Sequence, residues 1–149
     1  LIFMDVGIVN YLCGGRWNDM SDATALALVN EGPLAEQFVG QHLAYLDHSK
    51  PQLHYWLREG RANNAEIDYV ISQGMRILPV EVKAGASGTL KSLQQFVLEK
   101  GCEQALRFDL NPPSRMLVNA KARSGNAVED VRFELLSLPL YAVESLSHW

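Results

Sequence analysis

At 149 residues, 48% of them apolar and 20% charged, the chain fits one domain with a substantial core, which excludes a disordered protein. Its 17 acidic and 13 basic side chains give a net charge of -4, which offers no general attraction to a phosphate backbone and argues against strong autonomous DNA binding. The two cysteines, Cys13 and Cys102, lie far apart without CxxC spacing, so neither a disulfide framework nor a zinc site is expected, and a reducing cytoplasm is the expected compartment. No apolar run reaches the roughly 18 to 20 residues that a membrane helix needs, and no targeting signal is legible. The chain opens at Leu1 inside an apolar stretch and is expected to be a piece of a longer protein.

Residues 1–31 read as a helical lead-in, with Ser21 or Asp22 able to cap a short helix through Ala23 to Val29. Gly32-Pro33 opens a second helix, in which Leu34, Phe38 and Tyr45 fall on one face with Ala35, Val39 and Leu46. Glu36 sits at the edge of that apolar arc. Leu53 to Leu57 reads as a strand, followed by a polar loop from Arg58 to Asn64. From Ala65 to Ile71 the residues alternate, with Ala65, Ile67, Tyr69 and Ile71 on one face and Glu66, Asp68 and Val70 on the other. After a turn at Ser72-Gln73-Gly74, Met75 to Lys83 forms the third strand. Pro79 cannot donate to a ladder, so an edge position or a local irregularity is expected there.

A loop over Gly85 to Thr89 leads to a helix from Leu90 to Lys100 that Gly101 ends. Ala105–Leu110 and Met116–Asn119 read as short strands, Lys121–Asp130 as an exposed loop, and Phe133–Leu140 as an apolar tail broken by Pro139. The fold class is therefore α/β, with a core order of helix, three strands, helix, strand. Its division is a lead-in over 1–31, a core over 32–119 and a C-terminal extension over 120–149 of a single domain.

The chemistry lies on the hairpin. A divalent cation needs oxygen ligands converging on one point, and side chains two apart on a strand share a face. A four-residue loop, Ser72 to Met75, sets Asp68 opposite Pro79 and Glu81 opposite Glu66, which makes Asp68 and Glu81 diagonal neighbours; an odd loop puts them on opposite faces. Lys83 shares the face of Glu81, where an ammonium can orient water or stabilise charge on a phosphate. Asp68 and Glu81 are thus the expected ligands of magnesium or manganese, and the expected catalytic residues are Lys83 and, as an auxiliary acid that completes the metal's shell directly or through water, Glu36.

Glu36 on its helix, Asp68 in AEIDYV and Glu81-Val82-Lys83 in ILPVEVK resemble the PD-(D/E)xK superfamily, which includes restriction endonucleases. The run from LIFMDVGIVNYL through GPLAEQFV, LHYWLRE and TLKSLQQF to LPLY is similar to the C-terminal domain of bacterial and archaeal AAA-type P-loop ATPases. The resemblance implies a restriction-endonuclease-like mixed central sheet flanked by helices in the order αβββαβ. It also implies metal-dependent phosphodiester hydrolysis on nucleic acid, most simply DNA, and an ATPase module upstream. The chain itself contains no GxxxxGK[ST], so no nucleotide site is expected in it.

A Glu-x-Lys triplet alone arises by chance in roughly half of chains this long, so the constellation carries the weight. Glu66 reads as a flanking acid, and Gln94 or Gln95 as a polar contact to phosphate or an exposed residue. The histidines show no HxxxH or HExxH spacing, and His42 reads as a packed histidine. Trp17, Trp56 and Trp149 read as core or interface residues. Another reading is a regulatory or interaction module that kept the nuclease fold and lost turnover. Gathering of Arg58, Arg61, Lys83 and Lys91 around the acids favours the enzyme, and scattering favours the module. No sequence feature indicates an oligomeric state.

Overall fold

The computed structural model describes residues 1–15, 31–46, 52–59, 64–86, 88–124 and 127–148. Asp5 caps α1 (Val6–Leu12) by accepting from the amides of Gly7 and Ile8 at 2.7 and 3.3 Å. The helix expected over Ala23 to Val29 lies outside the described residues. Next come α2 (Glu31–Leu46), β1 (His54–Arg58), β2 (Ala65–Gln73), β3 (Arg76–Val82), α3 (Lys91–Lys100) and β4 (Gln104–Asp109). This is the expected order of helix, three strands, helix and strand. A long hairpin of β5 (Ser114–Ser124) and β6 (Ala127–Pro139) and a 3-10 helix (Leu140–His148) follow.

The six strands form one mixed sheet in the order β1-β2-β3-β4-β6-β5. β3, β4 and β6 run parallel, and the other neighbours are antiparallel. One face is covered by α2 and the 3-10 helix, over a core that includes Val39, Leu43, Tyr69, Val80 and Phe108. The other lies under α3, whose Leu93, Phe96 and Val97 meet Ile67, Val118, Phe133 and Leu135. Among the described residues no helix is long and apolar enough to cross a membrane.

Three sequence expectations are corrected. Lys121–Asp130 is no loop: the β5-β6 ladder runs through Lys121↔Asp130 out to Ser124↔Ala127. Charged side chains on its open face gave that stretch a loop-like composition, while Ala122 and Val131 are buried on the other face. β6 lies between β4 and β5, so the stretch after residue 119 is woven into the sheet and does not stand apart as an extension. Pro79 is fully buried on a central strand; its missing N–H is accommodated because pairing with β4 begins one residue later, at Val80↔Leu106.

β2 departs from the expected alternation. His54 pairs with Val70 but Trp56 with Ile67, so Tyr55 faces two residues, Asp68 and Tyr69, across a β-bulge. The extra residue sends Ile67 to the α3 core and Tyr69 to the α2 core, although simple alternation puts both on one face. The Tyr69 hydroxyl then reaches α2 and donates to the Glu36 carbonyl at 2.8 Å. Only a glycine at position 40 permits this approach, since a Cβ there lies 2.4 Å from the Tyr69 oxygen and 2.7 Å from its Cζ.

Gly40→Ala is therefore expected to cost about 1–3 kcal/mol, because overpacking against a buried, hydrogen-bonded ring outweighs the roughly 1 kcal/mol that alanine gains in helix propensity. Gly32→Ala, in the same helix with open space at its Cβ, is expected to be neutral or stabilising. Urea denaturation of both variants checks the contrast.

Candidate metal centre

The hairpin closes more tightly than expected. Ser72 pairs with Ile77 and Gln73 with Arg76, which leaves only Gly74 and Met75 in the turn, and Gly74 takes a φ of 62°. The loop is even, as a shared site requires, but two residues rather than four. The paired register ends at Tyr69↔Val80, so Asp68 and Glu81 lie just beyond it and do not take the diagonal pairing that a four-residue loop predicts. Beyond the bulge the strands part, and one Asp68 carboxylate oxygen accepts from the Val82 amide at 2.7 Å.

Glu81 keeps only 5% of its surface exposed. One of its oxygens contacts the Lys83 ammonium, and the other is buried without a hydrogen-bond partner. Desolvation raises its carboxyl from 4.5 to about 7, with the Lys83 hydrogen bond opposing and Asp68 and Glu36 reinforcing the rise. Burial also raises Asp68, against the pull of the Val82 amide and of Lys83. Glu36 remains exposed at the surface, yet partial desolvation, then Asp68 and Glu66, raise its carboxyl too. All four expected residues are thus brought within electrostatic reach of one another.

The backbone of Lys83 is fixed by a 2.8 Å hydrogen bond to the Phe108 carbonyl, which continues the parallel ladder beyond β3. Its side chain crosses Gly88, where an added Cβ comes within 2.9 Å of the lysine Cδ. Tyr69 and Gly88 are positioning residues that pattern reading missed. The glycine was the only available signal, and it was read simply as loop.

The remaining candidates separate. Glu66 is exposed and contributes only charge. Gln95 is buried, not exposed, and donates to Glu99 at 3.1 Å; Glu99 also pairs with Arg58 at 3.0 Å. Neither Arg58, which pairs with Glu99, nor Lys91 is among the charges that shift Glu36, Asp68 and Glu81. Arg61, Trp17, His48 and Trp149 lie outside the described residues. Trp56 packs edge-on against Phe96, and His42 stacks on Phe38 and meets Glu144 at 3.4 Å.

Among the described residues no three His, Cys, Asp or Glu side chains form a ready metal cage. Nor does the carboxylate centre coincide with a large cavity. A space of about 600 Å³ lies toward the other end of the strands, between Leu43, Leu78, Leu136 and Leu146. The carboxylates, not that cavity, concentrate perturbed titrating groups, the usual mark of reactive chemistry.

A raised carboxyl stabilises the fold fully below the unfolded value of 4.5, and this contribution is lost as pH rises through about 7. The interval corresponds to roughly 3 kcal/mol when complete. Glu81→Gln is therefore expected to become more stable relative to the parent between pH 5 and pH 8, by about 1–3 kcal/mol, in chelator-treated samples. A pH-independent difference in denaturation midpoints contradicts this assignment.

Residues 31–141 match the family model described as Domain of unknown function (DUF4143), and the chain belongs to that family. No curated protein matches the chain, and no solved structure matches it.

Proposed function

We propose that this DUF4143 member is a nuclease-like domain that hydrolyses phosphodiesters, most simply in DNA, with magnesium or manganese. In this reading it acts in the cytoplasm, C-terminal to an AAA-type ATPase. The observation that carries it is the closeness of Asp68, which accepts the Val82 amide, to Glu81, one of whose oxygens is buried and unpartnered. The order of elements and the Glu81-Val82-Lys83 triplet support the likeness to PD-(D/E)xK nucleases.

The donor set fits a small hard cation. Magnesium is commonly held by one or two carboxylates and keeps several waters, so two acids suffice where no three-residue cage exists. Asp68 and Glu81 would hold the ion, which supplies Lewis-acid polarisation of the phosphoryl group and acidifies water. Lys83 then orients the attacking water or stabilises the developing phosphate charge. A bond forms from the water oxygen to phosphorus, the bond from phosphorus to the leaving oxygen breaks, and that oxygen takes up a proton. The proton released by the attacking water passes to solvent, which supplies the one taken up by the leaving oxygen, and Glu36 is the auxiliary acid that would complete the ion's shell directly or through water.

One observation favours the regulatory or interaction module instead: Lys83 meets the acids, but neither Arg58 nor Lys91 is among the charges that act on them. Calorimetric titration with magnesium and manganese separates the readings. Binding is expected in the parent and lost in Asp68→Ala and Glu81→Ala, with proton release near pH 6.5, where Glu81 is largely protonated. Lys83→Ala should retain the cation and the fold but lose cleavage by on the order of a hundredfold or more. A parent protein that binds neither ion makes the hydrolytic reading untenable and leaves the module.

A further inference from the structure

Asn111 lies in the turn between β4 and β5, directly before Pro112 and Pro113, whose rings fix the backbone that follows and hold Asn111 itself to extended geometry. Its amide donates to Asp109 at 2.8 Å, and Asp109 is 1% exposed and ion-paired with Arg107 at 2.8 Å. Asn111 therefore stands on a fixed base. Its side chain reaches out of the turn, and Nδ2 donates to the Ala86 carbonyl at 2.8 Å, 25 residues back along the chain.

Ala86 belongs to the connection that leads from Lys83 to α3. Two residues on, Gly88 lies against the aliphatic stem of Lys83, so closely that a Cβ there comes within 2.9 Å of the lysine Cδ and 3.1 Å of its Cγ and Cε. The Lys83 amide donates to the Phe108 carbonyl at 2.8 Å, and its ammonium meets Glu81. The end of β4 thus acts on Lys83 twice, at the backbone through Phe108 and at the stem through the connection that Asn111 ties down. A lysine has a long flexible stem, so keeping its ammonium on one carboxylate requires that the stem be confined.

We propose that Asn111 is a positioning residue for Lys83: its bond to Ala86 holds the connection against the lysine stem and keeps the ammonium at Glu81. What the held ammonium does to water or phosphate rests on the hydrolytic reading, and the holding itself does not.

The test is trace acetylation of the lysines with acetic anhydride in chelator-treated protein, read by mass spectrometry. Lys100 and Lys121, both exposed, are the internal references. Asn111→Ala keeps the backbone bond to Asp109 and removes the bond to Ala86, so the fold is expected to persist. Asn111→Asp keeps the size, but its ionised side chain cannot donate. Each variant is expected to raise the acetylation rate of Lys83 roughly two- to tenfold, the range that the loss of one hydrogen bond corresponds to, and to leave both references unchanged. Gln104→Ala deletes a 3.1 Å side-chain bond to Glu134 at the opposite end of β4 and is expected to leave Lys83 unchanged. An unaltered Lys83 rate in both Asn111 variants overturns the proposal. So does an equal rise at all three lysines, or the same rise in Gln104→Ala, either of which marks general loosening. Magnesium calorimetry and cleavage of plasmid DNA on the same samples keep the two ideas apart. Faster labelling of Lys83, with cation affinity kept and cleavage slowed, supports both. A parent that binds no cation removes the hydrolytic reading, and the labelling still decides the role of Asn111.

Discussion

The bulge at Asp68 and Tyr69 divides β2 into two halves that serve opposite faces of the sheet. Before it, Ile67 packs under α3; after it, Tyr69 packs under α2 and holds the Glu36 carbonyl. The residue left between these commitments is Asp68, whose carboxylate occupies the gap between β2 and β3 and accepts the Val82 amide. An unpaired amide at a strand's inner edge is costly when shielded from water, and here an acid satisfies it. The same irregularity thus ties both core halves together, fixes the helix that carries Glu36, and opens the sheet beside Glu81.

Glu81 shows what a cation would relieve at such a centre. A carboxylate this deeply buried is penalised by lost solvation, and one lysine contact repays only part of that loss because the other oxygen has no partner. The acid therefore holds its proton up to neutral pH. A buried carboxyl that served stability alone would be better replaced by an apolar residue of similar volume. Retaining the acid beside Asp68 makes sense if the two exchange a proton for a metal ion, since the cation removes the penalty that desolvation imposes.

Much of this was legible in the chain, for identifiable reasons. The αβββαβ order follows from helical spacing at Leu93, Phe96 and Val97, from the Gly101 stop, and from strands bounded by turn residues. That Asp68, Glu81 and Lys83 come near one another was legible because they sit on the two strands of one hairpin, whether its turn holds two residues or four. Exact pairing was not legible: Ser72 and Gln73 are turn-forming types, but the ladder extends through them to Gly74. The bulge was invisible because Ile67, Tyr69 and Ile71 are all apolar, and perfect alternation is also what they would show without it. The β5-β6 hairpin was missed for the converse reason, since one of its faces is open to water and its sequence there is half charged.

Charge at the centre sets the order in which it can be filled. Glu36, Glu66, Asp68 and Glu81 outnumber Lys83, and the raised carboxyls lower the negative charge without removing it. A phosphodiester approaching this group meets like charge in a partly desolvated setting, where repulsion is stronger than in water. A divalent ion would reverse the local sign, and Lys83 would then act with the field rather than against it. On the hydrolytic reading proposed above, cation binding would be a precondition for substrate binding as well as for the chemical step.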